Sequence, residues 1–126
     1  MRTMLIVDDD SLTQDVMRKI FKSQYEIDNC ESVAEYYEKY FRKNYDIIIM
    51  DIALKGGKNG FELIKEIKED DSYTGTPIIC LTANAQNKAR LTALEVGGDL
   101  FLTKPVALSA LRDAVKSLIK TEKLNL

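Results

Sequence analysis

Short apolar runs alternate with segments of helical periodicity along the whole chain. Five short segments predict strands, since each is bounded by polar or turn-forming residues; four are mainly apolar, and the second, at residues 25–30, is more polar. They cover residues 4–7, 25–30, 47–50, 77–81 and 99–103. The third run is apolar at every position, which is typical of a central parallel strand that is buried on both faces.

A segment with apolar residues at helical spacing follows each predicted strand. These segments predict helices at about residues 11–22, 33–43, 61–69 and 86–96, and from 108 through 118. In the first of them, Leu12, Val16 and Ile20 recur at i, i+4 and i+8. Ser32 opens the second helix with a capping-box pattern, and Gly97 marks the end of the fourth.

Five strands that alternate with five helices predict an α/β fold built on one open parallel sheet. The 126 residues suit a single domain, which we place at residues 1–126 with a short tail at about 121–126. Five units of this size suit the doubly wound, flavodoxin-like strand order 2-1-3-4-5. In that order a ligand binds outside the carboxyl ends of the strands, at the switch point between strands one and three.

Charge and hydropathy narrow the functional classes. The chain carries 18 basic and 20 acidic residues, and no segment has a stripe of lysine or arginine. This balance argues against direct contact with nucleic acid. The longest apolar run is too short to span a membrane and the N-terminus has no signal-peptide pattern, so we expect no membrane association and a cytoplasmic location.

The chain contains no histidine. Nucleophilic triads, general bases and zinc sites that depend on histidine are therefore excluded, and any chemistry must use carboxylates, hydroxyls, lysine and backbone groups. The two cysteines, Cys30 and Cys80, lie on predicted strands two and four. These strands would be three places apart, about 14 Å, which is too far for a disulfide. We therefore predict two buried free thiols.

Polar side chains stand where four of the five predicted strands end. They are Asp8, Asp9 and Asp10 after strand one, Asp51 after strand three, Thr82 after strand four and Lys104 after strand five. Each of them alone could be a helix cap or an ordinary surface residue. Because the carboxyl ends of parallel strands meet at one edge of a sheet, we expect these side chains to share one cleft.

Several carboxylates in one cleft need a compensating positive charge. Two like charges about 4 Å apart repel by about 4 kcal/mol at an effective dielectric constant near 20. A divalent cation with oxygen ligands offsets this repulsion, and Mg²⁺ typically takes one or two carboxylates together with waters. Lys104 adds a further positive charge. The set suits phosphoryl transfer, with Asp51 as the nucleophile and the Thr82 hydroxyl as a donor to a phosphoryl oxygen.

Four sequence motifs carry these residues. They read Leu-Ile-Val-Asp-Asp-Asp at 5–10, Asp-Ile-Ile-Ile-Met-Asp at 46–51, Leu-Thr-Ala at 81–83 and Gly-Gly-Asp-Leu-Phe-Leu-Thr-Lys-Pro at 97–105. In this order and spacing they resemble the receiver domain of two-component response regulators. The resemblance spans the whole chain.

The resemblance implies a metal site. Asp8 and Asp9 would hold Mg²⁺ (or Mn²⁺), with Asp9 as the more direct ligand. Asp51 and the backbone carbonyl of Ala53 would complete the protein's share of the metal shell. Many receivers have Met-Pro shortly after the acceptor, whereas residues 54–60 of this chain read Leu-Lys-Gly-Gly-Lys-Asn-Gly. This loop is expected to be more flexible and more basic than usual.

The resemblance also implies roles in phosphorylation and switching. Asp51 would accept the phosphoryl group, Thr82 would bind a phosphoryl oxygen, and Lys104 would pair with the group. Phe101 would be the switch aromatic, which turns inward when Thr82 moves toward the phosphoryl group. The bond between Lys104 and Pro105 would be the family's cis peptide.

The partners follow from the same resemblance. A histidine kinase or a histidine phosphotransfer protein would supply the phosphoryl group, since this chain has no histidine to carry it. A downstream protein effector would read the surface formed by the fourth predicted helix, the fifth strand and the last helix. The chain would be a phosphoryl acceptor that assists its own phosphorylation and dephosphorylation, and not an enzyme.

Other functional classes stay open at this point. Asp8 and Asp10 are spaced as in the first motif of haloacid-dehalogenase-like phosphatases, but Leu12 stands where that motif has threonine or valine. The acidic pair that such a phosphatase has late in its chain is also missing. A second alternative is a receiver-like binding module that works without phosphorylation, although such a module would lack an acceptor, a metal ligand or the lysine. A flavodoxin fits less well, because no Ser/Thr-rich phosphate loop follows strand one.

Overall fold

Five parallel strands form one sheet at the centre of the computed structural model, which describes residues 1–54, 59–83, 92, 95 and 97–124. The strands are β1 (Arg2–Val7), β2 (Tyr25–Cys30), β3 (Ile47–Asp51), β4 (Ile78–Thr82) and β5 (Leu100–Thr103). Their order in the sheet is β2-β1-β3-β4-β5, and every neighbouring pair is parallel. The predicted α/β class and strand order are therefore confirmed.

Four helices lie in the described ranges. They are α1 (Ser11–Phe21), α2 (Val33–Lys39), α3 (Gly60–Glu69) and α4 (Leu108–Leu124). The sequence predicts one more helix, at about 86–96. That range lies outside the described residues except for Thr92 and Glu95, which are both helical. The predicted count of five is therefore one more than these ranges contain.

Two helix ends differ from the prediction. α2 ends at Lys39 and not near residue 43, because the backbone leaves the helical conformation at Tyr40 (φ −127°, ψ 2°), and Arg42 beyond it is left-handed (φ 64°). α4 extends to Leu124, so most of the predicted tail at about 121–126 is helical. No helix in the part of the chain that the structure describes is long and apolar enough to cross a membrane.

The sheet separates two apolar layers. α2 and α3 cover one face, and α1 and α4 cover the other. Side chains of β1 and β3 alternate between the layers, and residues 47–50 are buried on both faces. Because burial of one leucine or isoleucine side chain contributes roughly 1.5–3 kcal/mol, these central strands give a firm base to the residues at their ends.

The buried face of α1 differs from the apolar stripe of its sequence. Leu12 and Val16 are 73% and 45% exposed, whereas Gln14, Met17 and Phe21 face the sheet. Only three residues connect β1 to α1. The short connection and the Asp10 N-cap therefore limit the rotation of the helix, and of the apolar stripe only Ile20 packs against the core.

Both cysteines are free and buried, as predicted. Burial raises the pKa of the Cys30 thiol and of the Cys80 thiol to about 12. Neither forms a thiolate at neutral pH, so the two thiols belong to the core and not to the chemistry of the protein.

Candidate functional site

The carboxyl ends of β1, β3, β4 and β5 lie at one edge of the sheet. Asp8 and Asp9 follow β1, Asp51 is the last residue of β3, Thr82 is the last residue of β4, and Lys104 follows β5. The register places Asp51 beside Leu81 and Thr82 beside Thr103. The residues that the sequence singles out therefore occupy the same edge of the sheet.

Three carboxylates form the centre of the site. One oxygen from each of Asp8, Asp9 and Asp51 lies within 4.8 Å of the others. Asp8 is fully buried and Asp51 is 4% exposed, while Asp9 is partly exposed. At this separation two negative charges repel by about 4 kcal/mol when the effective dielectric constant is near 20. The cluster therefore requires positive charge nearby.

Lys104 supplies positive charge to the two buried carboxylates. Its Nζ donates to Asp8 Oδ2 at 2.9 Å and to Asp51 Oδ2 at 3.2 Å. Burial lowers the pKa of Lys104, but the hydrogen bond to Asp8 and the charge of Asp51 outweigh burial, and the net pKa lies above its ordinary value. The ammonium group therefore stays protonated between the two carboxylates.

Asp51 has a pKa above the usual aspartate value. Burial is the main cause, and the negative charge of Asp8 adds to it. Lys104 and the backbone amide of Ala53 act in the opposite direction; the amide donates to Asp51 Oδ1 at 3.1 Å. Without a metal ion, the ionised form of Asp51 is therefore less favourable in the folded protein than in the unfolded chain.

Replacing Asp51 with asparagine is expected to stabilise the metal-free protein at neutral pH. The pKa of Asp51 is higher in the folded protein than in the unfolded chain. Stability of the fold that is present at low pH is therefore lost as the pH rises through the folded-state pKa. Asparagine does not ionise and avoids this loss. Thermal unfolding in EDTA should give a higher midpoint for Asp51→Asn, by about 4 °C for each kcal/mol regained.

The pH dependence is the control for this stability prediction. The difference between Asp51→Asn and the wild type should shrink as the pH falls through the raised folded-state pKa of Asp51, because the wild-type carboxyl then becomes neutral as well. A midpoint of Asp51→Asn at or below that of the wild type at neutral pH would contradict the prediction.

The start of α3 packs directly on the end of β3. The amide of Gly60 donates to the carbonyl oxygen of Ile52 at 2.9 Å. A Cβ atom at position 60 would lie 2.3 Å from the carbonyl oxygen of Asp51 and 2.8 Å from Cα of Ile52, so only glycine fits. From the sequence alone Gly60 is one of several loop glycines, and its place before a helical segment is the only signal of this role. Residues 55–58, the middle of that loop, lie outside the described part of the chain.

Replacing Gly60 with alanine is expected to lower the free energy of unfolding by about 2 kcal/mol, because backbone atoms must move to admit the methyl group. Urea unfolding measures this loss. Gly75→Ala is the control: a Cβ at Gly75 would meet nothing within 4 Å, so the variant has no clash, but the φ of Gly75 is 91°. Its expected loss is about 1 kcal/mol, from the left-handed backbone alone. A larger loss for Gly75→Ala than for Gly60→Ala would refute the packing argument.

Thr82 and Phe101 lie on the neighbouring strands β4 and β5. Thr82 is buried at the end of β4, and its carbonyl oxygen accepts from the Lys104 amide at 2.7 Å. Phe101 pairs with Cys80 across β4 and β5, and its ring is partly buried on the side of the sheet that α2 and α3 cover. The peptide bond between Lys104 and Pro105 is cis. The switch role of Thr82 and Phe101 stays a prediction.

The donor atoms of the site fit a hard divalent cation. Asp8, Asp9 and Asp51 offer only carboxylate oxygens. The chain has no histidine, and both cysteines lie in the core. Mg²⁺ and Mn²⁺ favour oxygen ligands of this kind, whereas zinc sites usually contain cysteine or histidine. The residues present are therefore compatible with Mg²⁺ or Mn²⁺.

Comparison with known sequences identifies a protein family to which this chain is similar. The sequence model of the family described as "Response regulator receiver domain" matches residues 4–116. The chemotaxis protein CheY of Halobacterium salinarum is 31% identical over 119 residues, which are 94% of this chain and 97% of that protein. The regulatory protein VanRB of Enterococcus faecalis is 30% identical over 119 residues, which are 94% of this chain. The chain spans 52% of the length of VanRB.

Comparison with solved structures gives the same family. A two-component response regulator from Clostridium difficile has a TM-score of 0.86 and 29% identity, covering 95% of this chain and 97% of that one. The receiver domain of the sensor histidine kinase PA1611 from Pseudomonas aeruginosa has a TM-score of 0.83 and 28% identity, covering 94% and 98%. That structure is described with a magnesium ion coordinated in its active-site cleft. The chain therefore belongs to the family of response regulator receiver domains, which serve in two-component signalling.

Proposed function

We propose that this receiver domain accepts a phosphoryl group on Asp51 from a histidine kinase or a histidine phosphotransfer protein. The observation that carries the proposal is the buried Asp51 carboxylate, which has the Lys104 ammonium group at 3.2 Å and two further carboxylates within 4.8 Å. This arrangement combines a nucleophile, metal ligands and a fixed positive charge. The magnesium ion described for the related PA1611 receiver domain supports the same proposal.

Asp8, Asp9 and Asp51 would hold Mg²⁺ (or Mn²⁺), with Asp9 as the more direct ligand and the backbone carbonyl of Ala53 completing the protein's share. When bound, the cation neutralises charge on the carboxylates and on the phosphoryl oxygens. The Asp8 carboxylate accepts from a backbone amide at 2.9 Å and from Lys104 at 2.9 Å. These bonds orient one ligand through the protein alone.

The chemical step uses the Asp51 carboxylate as the nucleophile. One of its oxygens attacks phosphorus, the new O–P bond forms, and the P–N bond of the donor phosphohistidine breaks with its electron pair going to the imidazole. Lys104 pairs with one phosphoryl oxygen, and the Thr82 hydroxyl donates to another. In hydrolysis, water attacks phosphorus and the O–P bond to Asp51 breaks. The domain thus assists both its own phosphorylation and its own dephosphorylation.

Phosphorylation would act on a two-state element in this domain. Thr82 would move toward the phosphoryl group, and Phe101 on the neighbouring strand would turn toward the interior. The surface of the fourth predicted helix (about 86–96), β5 and α4 would then bind a downstream protein effector in the cytoplasm, with no direct contact to nucleic acid or membrane. A shift from 1:99 to 99:1 needs about 5.5 kcal/mol of differential stabilisation. Charge-assisted hydrogen bonds from Lys104 and Thr82 to the phosphoryl group contribute to it.

A small acyl phosphate with Mg²⁺ tests the proposal without a partner protein. One phosphoryl group should add, which intact mass spectrometry detects as an increase of about 80 Da. EDTA should suppress the increase, because the carboxylate cluster then lacks its cation. Steady release of nitrophenol from nitrophenyl phosphate would instead favour a phosphatase. A mass that never changes, with or without metal, would favour a binding module that works without phosphorylation.

A further inference from the structure

A buried carboxamide from α1 connects the ends of two strands next to the carboxylate cluster. Gln14 is 6% exposed, and its Nε2 donates toward the carbonyl oxygens of Asp8 at 3.0 Å, Cys30 at 3.0 Å and Ile6 at 3.2 Å. An amide nitrogen has two hydrogens, so the three carbonyls share them. One side chain thereby ties α1 to the end of β1 and to the end of β2.

A second layer of side chains holds Gln14 in this orientation. Asn29 on β2 donates through its Nδ2 to Gln14 Oε1. Arg18, one turn further along α1, donates to Asn29 Oδ1 at 2.5 Å. Both ends of the Gln14 carboxamide are therefore engaged, and a flip of the group would place its oxygen against three carbonyl oxygens.

These contacts fix the main chain that carries the metal ligands. The amide of Asp8 donates to the Cys30 carbonyl at 3.1 Å, and the carbonyl of Asp8 accepts from Gln14. That carbonyl belongs to the planar peptide unit that joins Asp8 to Asp9. Holding its oxygen therefore sets the direction in which the chain enters Asp9, the middle one of the three residues between β1 and α1.

We propose that Gln14 is a positioning residue for the divalent cation: it orients the Asp8–Asp9 peptide, and through it the two ligands, without contacting the ion. The inference rests on the proposed metal site. A purely structural role would cost stability alone, whereas a positioning role changes the affinity for Mg²⁺. Residues that hydrogen-bond to the direct ligands of a metal typically change the affinity of the protein for that metal by about 10- to 100-fold.

The test measures Mg²⁺ affinity directly by titration calorimetry on the full chain. Gln14→Met has nearly the same length but no donor, and we expect Mg²⁺ to bind about tenfold more weakly to it. In the acyl phosphate reaction, the Mg²⁺ concentration for half-maximal rate should rise by a similar factor, while the rate at saturating Mg²⁺ stays near that of the wild type. Tyr45→Phe is the control. It removes a hydroxyl that donates to Asp28 at 2.8 Å, and neither residue belongs to the cluster of Asp8, Asp9 and Asp51. Its Mg²⁺ affinity should equal that of the wild type.

Asn29→Ala keeps the inference testable if Gln14→Met does not fold. It removes the hydrogen-bond donor to Gln14 Oε1, and we expect Mg²⁺ to bind about threefold more weakly. The effect is smaller than that of Gln14→Met because Asn29 acts on the site only through Gln14. Wild-type affinity in Asn29→Ala and in any folded Gln14→Met would overturn the positioning role and leave Asp51 phosphorylation standing. A wild-type protein that binds Mg²⁺ no better than Asp9→Asn would overturn the proposed metal site and this inference together.

Discussion

Asp51→Asn is expected to lose phosphoryl uptake by about 10³-fold or more, because asparagine has no anionic oxygen that can attack phosphorus. The fold and the acidic pair Asp8 and Asp9 should remain, since the amide occupies nearly the same volume at the end of β3. Initial rates of the roughly 80 Da mass increase with an acyl phosphate and Mg²⁺ measure the effect. The same variant should have a higher thermal midpoint in EDTA, so loss of uptake and gain of stability are expected together.

Asp10→Asn is the matched control for the acceptor. Asp10 belongs to the same acidic run, but its exposed carboxylate caps α1 by accepting from the Leu12 amide at 3.3 Å and from the Thr13 hydroxyl at 2.5 Å. Asparagine is an equally good N-cap, so uptake should stay near the wild-type rate. Uptake by Asp51→Asn at the rate of Asp10→Asn would show that the acceptor has been assigned to the wrong residue.

Lys104→Met is expected to reduce the rate of phosphoryl uptake by about 100-fold, the usual effect of removing one charge-stabilising donor from an active site. Lys104 is the group that joins the buried Asp8 and Asp51 carboxylates, at 2.9 and 3.2 Å. Methionine fills similar space but leaves both carboxylates without this charge and the phosphoryl group without this partner. Mg²⁺ should still bind, because the three carboxylates remain. The uptake rate at saturating Mg²⁺ therefore isolates the contribution of Lys104.

Lys68→Met is the matched control for Lys104→Met. Lys68 is a lysine of similar side-chain exposure, 22% against 23%, and it also pairs with an aspartate, Asp99 at 3.6 Å. Its hydroxyl partner is Tyr73 at 2.7 Å, outside the carboxylate cluster. Lys68→Met should lose some stability and keep its uptake rate. Equal losses of uptake in the two variants would show that the effect comes from the fold and not from the site.

The strands and the positions of the site residues could be predicted because they depend on local pattern. Ile47 to Met50 are apolar at four consecutive positions, and such a run is typical of a strand inside a sheet that is covered on both faces. Parallel strands place their carboxyl ends at one edge, so the residues after each run had to meet. The proximity of Asp8, Asp51 and Lys104 therefore followed from strand assignment and strand order.

The features that escaped prediction depend on contacts between elements. Leu12 and Val16 suggest a buried stripe, but the short connection from β1 turns Gln14 inward, where backbone carbonyls satisfy its carboxamide. Gly60 is fixed by the approach of α3 to the Asp51 carbonyl, a distance that no local pattern encodes. α2 ends early because the backbone leaves the helical conformation at Tyr40, although the sequence there has no proline or glycine. For Gln14 and Gly60, tertiary packing overrides local preference.

Chemical mapping of the acyl phosphate tests most directly whether Asp51 is the covalent acceptor. The protein is phosphorylated with an acyl phosphate and Mg²⁺ and then treated with borohydride, which reduces an aspartyl phosphate to homoserine. Peptide mass spectrometry then locates the changed residue. Homoserine is expected at position 51 and nowhere else. Homoserine at position 8, 9 or 10, or a phosphoryl group that resists borohydride as a hydroxyl ester does, would contradict the assignment of Asp51.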